Sequence, residues 1–296
     1  MSDWRHVTRR DFLRDSALGA LALGIGASAT GVSFGADGGD KSIVALVRDE
    51  KVLGASNAAD PGIVKKMLDE AVKTATGESS AAAAWKKLIK PDDVVGLVPT
   101  KALTPTHGEL LTAVTDAIKE AGVAADRIQN VQGKKDLAEK CTVLISMPGL
   151  KVHQLTGLGT VMKNYIQLGT NRASYYHGEK NVELGAIWQM PIVKGKTRLV
   201  LVDAIQALCA QGPQKDPKYM WGYCGLIAST DPVAAETIAL KILQAKRNAV
   251  KGETWEISPA PLCVAAADKE YKLGTSDPAK IALKTIGWEK DLLIQA

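Results

Sequence analysis

The sequence predicts an α/β fold, a mostly parallel sheet flanked by helices, and three observations carry that expectation. Short uninterrupted apolar runs recur along the chain (SIVALV, VVGLV, CTVLISM, TRLVLVDAI, GLIAST), the pattern of strands covered on both faces. Helical patterns alternate with them, as in GELLTAVTDAIKEAG and VAAETIALKILQAK. Aromatic residues make up only 5% of the chain, with two Phe, so the core is built from Ala, Val, Leu and Ile. The chain has 296 residues, 46% of them apolar and 23% charged, which allows one large body or two lobes.

Taken in order, residues 1–29 are set apart from the fold. Arg9 and Arg10 precede Asp11, Phe12 and Leu13; a weakly apolar Ala/Leu/Gly run follows, then Ala27-Ser28-Ala29. This is the layout of a twin-arginine export signal with a small-residue cleavage site. The apolar run is short and Gly-rich, so no stable membrane span is expected in the mature chain. The expected partner is the twin-arginine export machinery, which carries folded proteins, and the expected location is periplasmic or secreted. Residues 30–41 read as a flexible linker, and 42–296 as the α/β domain.

Within that domain SIVALV is the first strand. Asp60-Pro61 opens a helix with Ile63, Val64, Met67, Leu68 and Ala71 on one face, and AAAAWKKLI continues helically. VVGLV is a buried strand, followed by the polar loop PTKALTPTHG and an amphipathic helix ended by Gly122. RIQNV and CTVLISM are strands. TRLVLVDAI is a strand ending at Asp203, followed by a long loop, CAQGPQKDPKYMWGYC. GLIAST is a strand, and Asp231-Pro232 caps the next helix. Two C-terminal helices are expected, one ended by Gly274 and one from Ser276 to about Ile286.

The chemistry concentrates between Pro148 and Gly178, a stretch with no Asp or Glu. Gly157, Gly159 and Gly169 permit close backbone approach, while Lys151, Lys163 and Arg172 supply positive charge. Thr160 is placed to cap a short helix, VMKNYIQL, whose first N–H groups would face a ligand. In open α/β sheets ligands collect at the carboxyl ends of strands. Four loops are assigned there: PTKALTPTHG, the acid-free stretch, the residues after Asp203, and Ser229-Thr230-Asp231-Pro232. A small anionic molecule is the expected ligand, with Lys151, Gly157, Gly159, Lys163, Asn164 and Arg172 binding it. His153 or Asp203 is the expected proton-moving group.

A metal ion is the second option. His107, His153, His177 and Asp203 offer mixed N and O donors, at scattered spacing. The four cysteines Cys141, Cys209, Cys224 and Cys263 form no C-x-x-C pair, so no iron–sulfur motif is present, and the cofactor stays unknown. Buried free thiols and a Cys209–Cys224 disulfide are both open. Removing residues 1–29 takes away four Arg and three acids and moves the net charge from +5 to +4. That is too mild for nucleic acid, and no nucleic-acid motif accompanies it.

Three blocks of the sequence resemble the family called domain of unknown function 362: MPGLKVHQLTGLGTVMKNYIQLG, TRLVLVDAI followed by GPQ, and GLIASTDPVAAETIAL. In the first, Lys151, His153, Gly157, Gly159, Lys163 and Asn164 match the family pattern in order and spacing; Asp203 and Asp231-Pro232 match the later blocks. The family often carries Lys-Pro-Asn where this chain has Val98-Pro99-Thr100. Some relatives add a cysteine-rich ferredoxin segment that this chain lacks. The resemblance implies the fold and the site, and no settled reaction. An enzyme acting on the anion, a non-catalytic binding or homo-oligomeric assembly protein, and an accessory to an extracytoplasmic redox or metal system all fit it.

Overall fold

Strand β1 (Ser42–Arg48) shows how the apolar runs are used. Val44 and Leu46 pack into one core, Ala45 and Val47 into a second on the other face. The same division holds in β4 (Val143–Met147), where Leu144 faces away from Val143 and Ile145. In β7 (Thr197–Leu208), Val200 and Val202 oppose Leu199 and Leu201. A strand alternates faces at every residue, so a sheet covered on both sides needs apolar residues throughout. The computed structural model describes residues 41–54, 58–169, 173–212 and 214–294. The expected export signal, all of the linker but Lys41, and Arg172 lie outside these.

The remaining strands are β2 (Val95–Pro99), β3 (Ile128–Asn130), β5 (Gly149–His153), β6 (Gly157–Leu158), β8 (Met220–Ser229) and β9 (Ile281–Gly287). They make one nine-stranded sheet whose main row runs β3-β2-β4-β7-β8-β1-β9. All neighbours in that row are parallel except for β8, which is antiparallel to both β7 and β1. The sheet is therefore mixed and mostly parallel, as expected. Strand β5 extends the line of β4 past Pro148 and pairs with the far half of β7, then turns back as β6.

One face is covered by α1 (Pro61–Thr76), α2 (Ala81–Leu88) and α3 (Gly108–Glu120), which bury Met67, Leu68, Trp85, Leu110 and Val114 there. Between β3 and β4 lies α4 (Lys135–Lys140). The other face carries the chain from β5 onward: the short α5 (Ile166–Gly169) and α6 (Leu184–Trp188), then α7 (Pro232–Lys251) and α8 (Cys263–Lys269). The helix starts follow capping chemistry. Asp60 accepts from Ile63 N at 2.8 Å, and Asp231 accepts from Val233 N and Ala234 N at 2.9 Å each. Gly77 and Gly252 end α1 and α7 in the left-handed conformation, at φ 71° and 77°.

Several sequence expectations are corrected. Residues 276–286 are not a helix: one 3₁₀ turn, Pro278–Lys280, leads into β9, which pairs with β1 over seven residues. Asp277 caps only that turn, accepting from Ala279 N, and the open edge of β1 then recruits the β-branched and apolar IALKTIG. Strand β7 does not end at Asp203 but runs five residues further, and β8 starts at Met220, inside the expected loop. Because β8 is antiparallel, Ser229 pairs with Val200 near the start of β7. The Ser229–Pro232 loop thus lies at the opposite end of the sheet from the carboxyl ends of β2, β4 and β7. The expected helix VMKNYIQL shrinks to α5, for a reason given below.

All four cysteines are buried and free, so Cys209 and Cys224 are not bonded. Among the described residues no helix is long and apolar enough to cross a membrane.

Candidate functional site

The acid-free stretch is not a solvated loop. From Thr156 to Met162 every residue is buried, as are Leu150–His153. The β5–β6 hairpin carries the chain back over the sheet, beneath α7 and α8. Its turn needs Gly157, which sits at φ 76°; a Cβ there would lie 2.5 Å from Pro259 O. A Cβ on Gly159 would press at 3.3 Å on His153 Cβ and on Lys151 Cγ and Cε. Both glycines allow close approach of the backbone to neighbouring protein atoms.

Lys151 enters from β5. Its backbone is clamped by the Thr160 hydroxyl, which donates to Lys151 O at 3.0 Å and accepts from Lys151 N at 3.2 Å. Thr160 thus ties the segment after β6 to β5 and is not the helix cap expected of it. The Lys151 side chain is 6% exposed, and its Nζ meets Thr100 Oγ1 at 3.4 Å, at the end of β2. Lys163 is half-buried and its Nζ donates to Thr156 Oγ1 at 3.2 Å. Among the described residues neither amine has a carboxylate in ion-pair contact, although buried charges are normally paired. Burial, with the neighbouring Lys163 charge, pushes the Lys151 ammonium down to about 7; Glu236 and Asp203 pull the other way. Burial takes Lys163 down to about 8.

The acid that the stretch lacks comes from α7. Glu236 is fully buried, accepting from Val161 N at 2.9 Å and Met162 N at 3.1 Å. These are the N–H groups expected to face a ligand, and their capture by Glu236 holds residues 161–165 in turns and leaves only α5 helical. Burial raises the Glu236 carboxyl to about 7, against the two N–H groups and Lys151. Glu236 is not among the site residues expected from the sequence. The available signal was a lone acid among Val233, Ala234, Ala235, Ile238 and Ala239.

Asn164 ties the stretch to the sheet: its Nδ2 donates to Val98 O at 2.7 Å and Ser146 Oγ at 3.0 Å. Asp203, 1% exposed and opposite Gly149 in the β5–β7 pairing, faces His107. Its Oδ2 accepts from His107 N at 2.7 Å and lies 2.8 Å from His107 Nδ1, while Oδ1 accepts from Ile205 N at 3.1 Å. Burial opposes a charged His107, but the hydrogen bond and charge of Asp203 outweigh it and the imidazole lies above its ordinary value. His107 and Asp203 are 96 residues apart, and nothing local to either announces the pair.

His153 differs. Leu155 N donates to its Nδ1 at 3.3 Å, so the neutral ring carries its proton on Nε2. Burial and then Lys163, His177 and Lys151 push its pKa down to about 3. His177 lies nearby with its ring tilted by 36°, centroids 6.1 Å apart, and is itself lowered, by burial and Lys163. The metal candidates thus fall into two pairs, His107–Asp203 and His153–His177. Among the described residues no group of three or more His, Cys, Asp or Glu is gathered as a ligand set. A concavity of about 150 Å³ opens beside His153 and Gly157, bordered by Gln154, Gln211, Arg247 and Trp255. A larger one, about 350 Å³, lies on the other face along α3 and β3, away from all of these groups.

Residues 125–241 match the family model described as domain of unknown function (DUF362). That span covers Lys151, His153, Lys163, Asn164, Asp203 and Glu236, and supports the family resemblance read from the same blocks. His107 and Cys263 lie outside it. No curated protein and no solved structure matches the chain.

Proposed function

We propose that the strand-end region binds a small anion between the amines of Lys151 and Lys163, in a protein exported by the twin-arginine route to the periplasm or beyond. The observation that carries the reading is one buried and one half-buried amine whose partners, among the described residues, are threonine hydroxyls. Holding two ammonium groups out of water without a counter-charge is costly, and a bound carboxylate or phosphate would supply that charge. The Thr100 hydroxyl, which accepts from Gly149 N and Lys151 Nζ, would add a donor. His153, fixed as an Nε2–H donor, suits the same anion without competing for its charge.

If the protein is an enzyme, His107 is the better proton-moving group. Asp203 fixes its ring and supports its charged form, the arrangement that general acid–base catalysis needs. His153 would have to be taken to about pH 3 to charge. Export rests on Arg9, Arg10 and the residues that follow them.

Thermal unfolding with inorganic phosphate, sulfate, acetate and citrate tests the site. At least one anion should raise Tm in the unsubstituted chain and leave Lys151→Ala and Lys163→Ala unmoved. Equal shifts in all three proteins would remove the reading.

A further inference from the structure

We propose that Lys151 is a covalent catalyst that condenses with the carbonyl carbon of a small 2-oxo acid, whose carboxylate is held by Lys163. This rests on the anion reading of the same site and goes beyond it. Three geometric facts single out Lys151 among the lysines. Its backbone is locked on β5 by both hydrogen bonds to the Thr160 hydroxyl. Its stem packs close to the bare Cα of Gly159, where a Cβ would press on Lys151 Cγ and Cε at 3.3 Å. Its amine is almost out of water and, among the described residues, makes one long hydrogen bond, 3.4 Å, to Thr100 Oγ1, leaving the nitrogen lone pair uncommitted once the proton is lost.

A fixed, nearly dry amine beside a second cation is the setting in which lysine acts as a nucleophile. The groups facing it are Lys163, which disfavours its charge, and Glu236 and Asp203, which favour it. The balance leaves a substantial fraction of free amine near neutrality. Lys163 comes from the far side of the hairpin, is less buried and keeps more of its charge, so it suits the carboxylate.

The step balances without a further reagent. The Lys151 nitrogen forms the new bond to carbon. The carbonyl oxygen leaves as water with two of three hydrogens, these three being the two of the amine and one proton from solvent. The third stays on the iminium nitrogen.

The test is trapping. The full chain is incubated at pH 7 with pyruvate and cyanoborohydride, which reduces an iminium to a stable amine, and adducts are mapped by peptide mass spectrometry. Lys151 should be labelled roughly tenfold or more above exposed lysines, which keep only a trace of free amine at this pH. Lys151→Arg should lose that adduct alone. Labelling spread evenly over exposed lysines, with Lys151 unlabelled in the unsubstituted chain, overturns the proposal whether or not the Arg variant folds. Phosphate thermal shifts on the same protein separate the two failures. A retained shift without the adduct leaves the anion site standing, and loss of both removes it as well.

Discussion

Lys151 makes the energetic tension of the site visible in one side chain. Its ammonium is pushed from the ordinary lysine value to about 7, so the native state prefers the neutral amine more than the unfolded chain does. For a depressed lysine the sign is definite. The penalty is absent above the unfolded value, grows as pH falls toward the folded value of about 7, and is full below it. Lys151→Met should therefore unfold at higher denaturant than the unsubstituted chain at pH 6, with the gap closing toward pH 10. A variant less stable at every pH would mean that the amine has an internal partner. Function-bearing sites commonly cost stability in this way. His107 has the opposite sign. Its raised pKa adds stability that is present at low pH and fades as pH rises through the folded value. Asp203→Asn should lower the His107 titration midpoint followed by NMR; an unchanged midpoint would separate the pair.

At the scale of elements, the β5–β6 hairpin and α7 act as one unit, joined by Glu236. Glu236→Ala would strand two buried N–H groups, each costing about 1–3 kcal/mol. A loss of roughly 2–6 kcal/mol in chemical denaturation is expected, along with faster amide exchange at Val161 and Met162. Exchange unchanged at those two amides would mean that the carboxylate does not hold the segment.

This unit also marks the limit of what the sequence disclosed. The buried strands were legible because both faces of the sheet are covered, so each strand is written as an apolar run. The starts of α1 and α7 were legible because Asp-Pro pairs cap locally. Lys151, Lys163 and Asn164 were legible as a cluster because one hairpin carries them. Partnerships across long separations were not. Glu236 meets Val161 over 75 residues, and Asp203 meets His107 over 96. β9 was misread because its strand character depends on the edge of β1, some 240 residues earlier in the chain.

For the whole molecule, the antiparallel β8 decides which loops share an end. It removes the Ser229–Pro232 loop from the site and leaves the loop after β2, the β5–β6 hairpin and the far half of β7 together. Asp231, at the other end, holds Ser42 Oγ at 2.7 Å and Thr275 N at 3.0 Å besides capping α7, which is work for the fold. The export reading belongs to this scale too. A reporter fused to residues 1–40 should be exported, and should stay inside when Arg9 and Arg10 are both changed to Lys. Export that survives the double change would contradict it.

The central claim is that Lys151 and Lys163 await an anion, and calorimetric titration with sulfate tests it most directly, since sulfate does not itself titrate near neutrality. An anion that settles on Lys151 favours its charged form. Binding at pH 7.5 should therefore take up protons, seen as a dependence of the heat on buffer ionisation, and should weaken as pH rises toward 9. Lys151→Met should reduce the proton uptake to the share of Lys163, whose amine is itself lowered to about 8. Sulfate that does not bind, or that binds equally at both pH values with or without Lys151 and Lys163, would contradict the account.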